Sequence, residues 1–281
     1  MKRFPMDCRV FNGMRLSPLP SVSAVASIIA KAPPNYDSHL LLGVKNEFLA
    51  RPFLISFDDE PGGHLLVCGE NGDLDENGNV SGLDVWNGLR RAVWQSLAAQ
   101  KGCAFVHFDP LARERPGTLP ANGVFLGAEA KEDEALLAAF NRLMQSNASQ
   151  KYIIVENYGR ARLLHPEAAP MPAFGRPRDA EPPKQTARSL FLSGFASGVE
   201  SPFHAVLFIH NFENMRRAVF EKSRDTNILA GCAKRIAFNL AKADMENFMP
   251  RSRRMDTKGR VLFCDETQPD DPISILAYSG E

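Results

Sequence analysis

The sequence predicts an α/β fold, a mainly parallel sheet covered by helices on both faces. Short apolar runs recur along the chain, among them His64–Cys68, Ala104–Phe108, Tyr152–Val155 and Ala205–Ile209. Each is nearly continuous in apolar character, as a strand buried on both faces must be. Stretches with helical spacing separate several of them, so strands and helices alternate as they do when a parallel sheet is built.

Taken in order, residues 1–39 form a lead-in. Its apolar stretch Val22–Ala32 is bracketed by Pro18, Pro20, Pro33 and Pro34, which leaves room for one short helix. One domain then runs from 40 to 281. Leu40–Val44 and Pro52–Phe57 read as strands, followed by His64–Cys68. Trp86, Leu89, Val93 and Leu97 mark an amphipathic helix that ends near Lys101-Gly102. Ala104–Phe108 is a strand ending in Asp109-Pro110, a turn-forming pair, and Gly123–Leu126 is another strand. The helix Glu132–Gln145 carries the stripe Leu136, Leu137, Phe140, Leu143 and Met144. Tyr152–Val155 runs into Glu156-Asn157. Residues 163–185 hold six prolines and read as a long loop. The remainder gives a short helix at Ser189–Gly198, strands at Ala205–Ile209 and Arg235–Leu240, an acidic helix Lys242–Phe248, and strands at Arg260–Cys264 and Ile273–Ala277.

Composition narrows the function classes. The 281 residues are 44% hydrophobic and 23% charged with zero net charge, so the whole chain has no global attraction for nucleic acid or acidic lipid. Arg251-Ser-Arg-Arg254 is a solvated basic turn. Cys8, Cys68, Cys103, Cys232 and Cys264 are far apart, which excludes a structural zinc site and suits reduced thiols in the cytoplasm. No signal-peptide core stands at the N-terminus, and no apolar run reaches the ~18–20 residues of a membrane span. Asp58-Asp59-Glu60 precedes Pro-Gly-Gly and reads as an exposed hairpin. His64, His107, His204 and His210 lie in or beside strands without partners at metal spacing, and are expected buried and hydrogen-bonded. No nucleophile elbow or zinc-protease helix is present.

The stretch GENGDLDENGNVSGLD, residues 69–84, follows the His64–Cys68 strand directly. A strand, a glycine-rich loop and a helix in that order form the usual cradle for a nucleotide phosphate. This loop has no lysine and carries Glu70, Asp73, Asp75, Glu76 and Asp84 instead.

The order of these pieces resembles the motor domain of the FtsK/SpoIIIE family within the FtsK–HerA class of P-loop ATPases, which includes DNA translocases and type VII secretion ATPases. The resemblance spans roughly residues 16–278. RLSPLPSVSAVASIIA is similar to the family's leader, and LLLGVKNEFLARPFLISFDDEPGGHLLVCGE to the two strands and the run before its phosphate loop. YIIVEN stands in place of the second nucleotide motif. PFHAVLFIHNFENMRR, CAKRIAFNLAKADMENFM and GRVLFCDETQPDDPISILAY resemble the closing strands.

This resemblance implies a RecA-like P-loop NTPase fold and a set of site residues. Gly69 matches the opening glycine of the phosphate loop and Gly72 follows within it; aligned on the helix start, Gly82, Leu83 and Asp84 take the Gly-Lys-Ser/Thr positions. Neither register supplies the lysine that neutralises phosphate or the hydroxyl that ligates magnesium. Glu156 takes the place of the magnesium-linked acid, Asn157 that of a catalytic acid, and His210-Asn211 that of a polar sensor pair. The implied protein is a degenerate domain without efficient ATP and Mg2+ chemistry, a structural or regulatory subunit of a DNA-translocation or secretion assembly. Its implied partners are related ATPase domains or subunits in a ring or larger complex, with DNA among them and membrane contact only through partners. An active ATP-binding translocase motor, using Gly69, Gly72 and Glu156, is the first alternative.

The second alternative is a calcium-responsive binding module. Residues 73–84 fit the twelve-residue calcium loop: Asp73, Asp75 and Asn77 supply side-chain oxygens and Gly78 the sharp turn. Asn79 offers its carbonyl, Ser81 binds directly or through water, and Asp84 closes the loop in place of the usual glutamate. The string resembles one half of a dockerin module, without a second copy. A hydrophilic insertion that replaced a disused phosphate loop has the same composition. Calcium separates the two readings. A filled site stabilises the native state by about 2.7 kcal/mol at 100 times the dissociation constant. A thermal midpoint unmoved by calcium leaves only the insertion.

Overall fold

The computed structural model describes residues 18–47, 50–58, 63–69, 82–113, 116–117, 119–130, 132–167, 184–196, 200–220, 227–250, 261–268 and 272–279. Ten strands among them form one sheet: β1 (Ser38–Lys45), β2 (Pro52–Phe57), β3 (Leu65–Gly69), β4 (Cys103–Phe108), β5 (Gly123–Leu126), β6 (Gln150–Val155), β7 (His204–Ile209), β8 (Lys234–Phe238), β9 (Val261–Asp265) and β10 (Ile273–Ala277). Their order is β2-β1-β10-β9-β8-β3-β7-β6-β4-β5. From β8 to β5 every pairing is parallel; from β2 to β8 every pairing is antiparallel. In open α/β sheets ligands bind outside the carboxyl ends of parallel strands, so the parallel half is the one to inspect for a site.

Alternation of side chains along the strands makes two cores. Leu66, Cys68, Val106, Ile153, Val155, Leu207 and Ile209 face one side, where α3 (Asp133–Gln145), α4 (Ala187–Ser193) and α7 (Lys242–Phe248) cover them. Leu65, Val67, Phe105, Tyr152, Ile154, Val206 and Phe208 face the other side, beneath α1 (Val22–Ile29) and α2 (Gly82–Ala99). The three layers follow from period-two strands that are apolar at successive positions. No helix among the described residues is long and apolar enough to cross a membrane.

α2 also completes the antiparallel half. β1 pairs with β10 only over Gly43–Lys45. Upstream, the amide of Gln100 accepts from His39 N–H (2.9 Å) and donates to the His39 carbonyl (2.7 Å), and Ser96 Oγ accepts from Leu41 N–H (2.9 Å). Buried backbone groups without a strand partner are thus satisfied by helix side chains. Gly88 permits this close seating, because a Cβ there would run into the Tyr278 carbonyl.

Element limits shift locally from the sequence expectation. β1 begins inside the expected lead-in, at Ser38. α4 starts earlier because Thr186 and Ser189 form a reciprocal capping box, and it stops at Gly194. β8 ends at Phe238 because Asn239 adopts a left-handed φ of 50°. Two short helices escaped the periodicity, α5 (Phe212–Met215) and α6 (Ile228–Gly231), each too short to show a stripe. Of the Pro-rich stretch, 168–183 lies outside the described residues.

Two histidines at the opposite end of the strands are buried and neutral. His64 donates from Nε2 to the Gly194 carbonyl (2.7 Å) and accepts the Ala205 N–H at Nδ1 (3.0 Å). His204 donates from Nδ1 to the Gly63 carbonyl (3.2 Å). Burial lowers each imidazole from 6.5 to about 4. Both must therefore charge more easily in the unfolded chain, and the stability present above pH 6.5 is lost as pH falls toward 4. The expected loss is roughly 3 kcal/mol per histidine by the end of that window. Urea unfolding at stepped pH measures it, and a flat profile from pH 7 to 4 would refute it.

Candidate functional site

The parallel strands end side by side in Gly69, Phe108, Val155 and Ile209, and the residues that follow carry the polar groups. By strand parity His107, Glu156 and His210 fall on the face that α2 covers, in line with Phe105, Ile154 and Phe208. α2 presents Trp86, Arg90 and Trp94 to them, at helical spacing of four.

Glu156 is the centre of the cluster and is only 4% exposed. Its Oε1 accepts from Trp86 Nε1–H (2.6 Å) and from the Arg90 guanidinium (3.1 Å). Its Oε2 accepts from His107 Nε2–H (3.1 Å) and more distantly from Arg90 (3.3 Å). Trp94 Nε1–H donates to His107 Nδ1 (2.9 Å), and an indole can only donate. That bond fixes the His107 proton on Nε2, where Glu156 receives it. Burial by itself raises the Glu156 carboxyl, but the hydrogen bond from His107, the electrostatic pull of His107 and then of Arg90, and the indole of Trp86 outweigh it and hold it at about 2.

The second part of the cluster lies at the same strand ends. Asn157 adopts a left-handed φ of 52°, which asparagine tolerates better than most residues. Its Oδ1 accepts from His210 Nε2–H (2.7 Å), and its Nδ2 donates to Asp109 Oδ1 (2.9 Å). Asp109 also accepts the Leu111 N–H (2.9 Å), the Asx turn its Asp-Pro sequence suggests. The His210 ring lies flat on Trp86, centroids 3.9 Å apart and planes 5° apart. Burial lowers the His210 imidazole below its ordinary value, against the opposing pull of Glu156 and Asp109.

The predicted site residues are thus only partly brought together. Glu156, Asn157 and His210 meet, and Asn211 follows just before α5. Gly69 is buried at the end of β3, and a Cβ on it would run into the Phe238 ring. Close packing is therefore a sufficient reason for that glycine. Gly72, Asp73, Asp75, Asn77, Asn79 and Ser81 lie outside the described residues. Gly82 and Asp84 belong to the first turn of α2 by their backbone. Sequence reasoning passed over Arg90 and Trp94; their signal was the i, i+4, i+8 series Trp86, Arg90, Trp94, masked by the apolar stripe beside it.

Comparison with known proteins agrees with the fold. No family profile matches the sequence, and no curated protein does. The Thermomonospora curvata EccC structure containing ATPases 2 and 3, in complex with a signal sequence peptide, matches with a TM-score of 0.53 at 12% identity over 95% of this chain and 43% of that one. The cytoplasmic domain of the Thermomonospora curvata type VII secretion ATPase EccC matches with a TM-score of 0.55 at 9% identity, over 94% of this chain and 32% of that one. A structure described as an ATPase matches with a TM-score of 0.51 at 12% identity, over 94% and 97% of the two chains. At such identities the likeness is one of fold: this chain has the RecA-like P-loop NTPase fold expected from its sequence. It spans less than half the length of either EccC chain.

The site makes one direct prediction. Glu156→Ala leaves the half-buried Arg90 of α2 and the buried N–H groups of Trp86 and His107 without their carboxylate, and is expected to cost about 3 kcal/mol in urea unfolding at neutral pH. In the wild type that contribution is present above pH 4.5 and is lost as pH falls toward 2. A loss below about 1 kcal/mol, the range of an exposed ion pair, would show that the fold does not depend on this carboxylate.

Proposed function

We propose that the chain is a catalytically silent FtsK/SpoIIIE-like domain, a structural or regulatory unit that packs against related ATPase domains in a secretion or translocation assembly in the cytoplasm. The observation that carries this reading is the engagement of Glu156. Both its oxygens accept from Trp86, Arg90 and His107. As placed it fits an internal guanidinium, at 3.1 Å, and does not fit a magnesium ion, which would need those lone pairs and would meet Arg90 as a like charge. The loop before α2 has no lysine for the phosphates. The domain context of the two EccC structures supports a place within a multi-domain ATPase, an inference by analogy of fold.

Equilibrium and turnover test this together. MgATP is expected to leave the thermal midpoint unchanged, and phosphate release is expected to match that of a folded Glu156→Gln sample. A rise of several degrees with MgATP, together with hydrolysis lost in Glu156→Gln, would instead establish the active motor.

A further inference from the structure

At the end of the parallel strands away from Glu156, β8 opens on Lys234, which pairs in register with Asp265 at the close of β9. Lys234 is only 9% exposed, yet its ammonium has no hydrogen-bond acceptor among the described residues. Asp265 Oδ2 stands 4.0 Å away, too far for a direct hydrogen bond, and the Phe57 ring centre lies at 5.6 Å. Asp265 is held back by its own turn: its Oδ1 accepts from the Thr267 N–H (3.0 Å) and hydroxyl (2.6 Å). An ammonium has three donors, and one buried to this degree ordinarily finds acceptors for them. Lys234 and Asp265 both line a cleft of about 740 Å3. The antiparallel half curls around it, so that Phe53 of β2 and Phe263 of β9 meet with ring centres 5.0 Å apart, although β1 and β10 separate their strands in the sheet. These two rings give the cleft an apolar wall, and Lys45 and Asp58 complete its charged lining among the described residues, two cations against two anions. Its volume far exceeds the ~30 Å3 share of one water and falls in the range of small-molecule sites, roughly 300–1,000 Å3.

We infer that this cleft binds a small zwitterion, an α-amino acid with an apolar or aromatic side chain. A plain anion would meet Asp265 as a like charge, and a plain cation would meet Lys234. A carboxylate and an ammonium borne on one carbon answer both. The carboxylate accepts from Lys234, the ammonium donates to Asp265 Oδ2, and the pair bridges the 4.0 Å gap with two charge-assisted hydrogen bonds. The side chain packs on Phe53 and Phe263, which supply the apolar contact such a site needs. The inference is independent of the silent-domain reading, because the cleft and Glu156 lie at opposite ends of the strands.

Isothermal titration calorimetry of the full chain tests it, with L-phenylalanine and L-leucine as probes. At least one of them is expected to bind saturably. Phenylpropionate, which lacks the ammonium, and phenylethylamine, which lacks the carboxylate, are each expected to bind roughly tenfold more weakly than L-phenylalanine, or not at all, having lost one charge-assisted hydrogen bond. Lys234→Met keeps the apolar stem without the charge, and Asp265→Asn keeps an oxygen for Thr267. Each is expected to weaken amino-acid binding by roughly tenfold or more while remaining folded. If Lys234→Met fails to fold, Asp265→Asn and the two half-ligands still decide the matter. No saturable binding of either amino acid, as expected of a cleft filled by water alone, would overturn the inference. So would a half-ligand that binds as tightly as L-phenylalanine, or an affinity unchanged in a folded variant.

Discussion

Placing a carboxylate in the interior is the constraint on which much else in this molecule depends. An isolated buried charge is prohibitively costly, so Glu156 must be surrounded by donors and by a cation. Those groups come from two elements: Trp86 and Arg90 from α2, His107 from β4, and behind His107 a second tryptophan of α2. One side chain after β6 thereby holds α2 in its rotation, receives the His107 proton that Trp94 fixes on Nε2, and anchors the Trp86 ring that stacks on His210. The donors are individually ordinary hydrogen bonds, but in a buried network each keeps its neighbours in place.

The same helix joins the two halves of the sheet. Over the parallel half, α2 supplies the aromatic and guanidinium groups that meet the strand ends. Over the antiparallel half, Ser96 and Gln100 act on β1 as a neighbouring strand would, taking the backbone groups of His39 and Leu41. Gly88 lets the helix axis sink against Tyr278. Disturbance at either end of α2 is therefore expected to reach the other through a rigid, well-packed element rather than through a flexible loop.

A P-loop fold normally turns its second acid outward to a metal-bound phosphate. Here the corresponding carboxylate is turned beneath a helix and consumed by the fold itself, while Phe238 covers Gly69 and Trp86 covers His210. At Gly69, Glu156 and His210 the contacts seen are contacts of internal packing. The site draws its order from internal contacts, and our proposal of a silent member of a larger assembly rests on that.

Much of the architecture was legible in the sequence because strand burial and helix amphipathicity are local patterns. The runs at 64–68, 104–108, 152–155 and 205–209 read as buried strands; that Glu156 and His210 share a face with His107 follows only once those strands are paired. The sequence also determined that the loop before α2 lacks a phosphate-binding lysine, since composition does not depend on folding. It did not disclose what Glu156 touches. That depends on Arg90 and Trp94, 66 and 62 positions away along the chain, and on the depth to which α2 settles. Nor did it show that Gly69 serves Phe238, which lies on β8, a strand nearly at the other end of the chain. Hydrogen bonds and ion pairs between distant residues leave no periodic trace in a single sequence; only the tertiary structure, by bringing those residues within contact, decides whether a carboxylate waits for a metal or is paired from within.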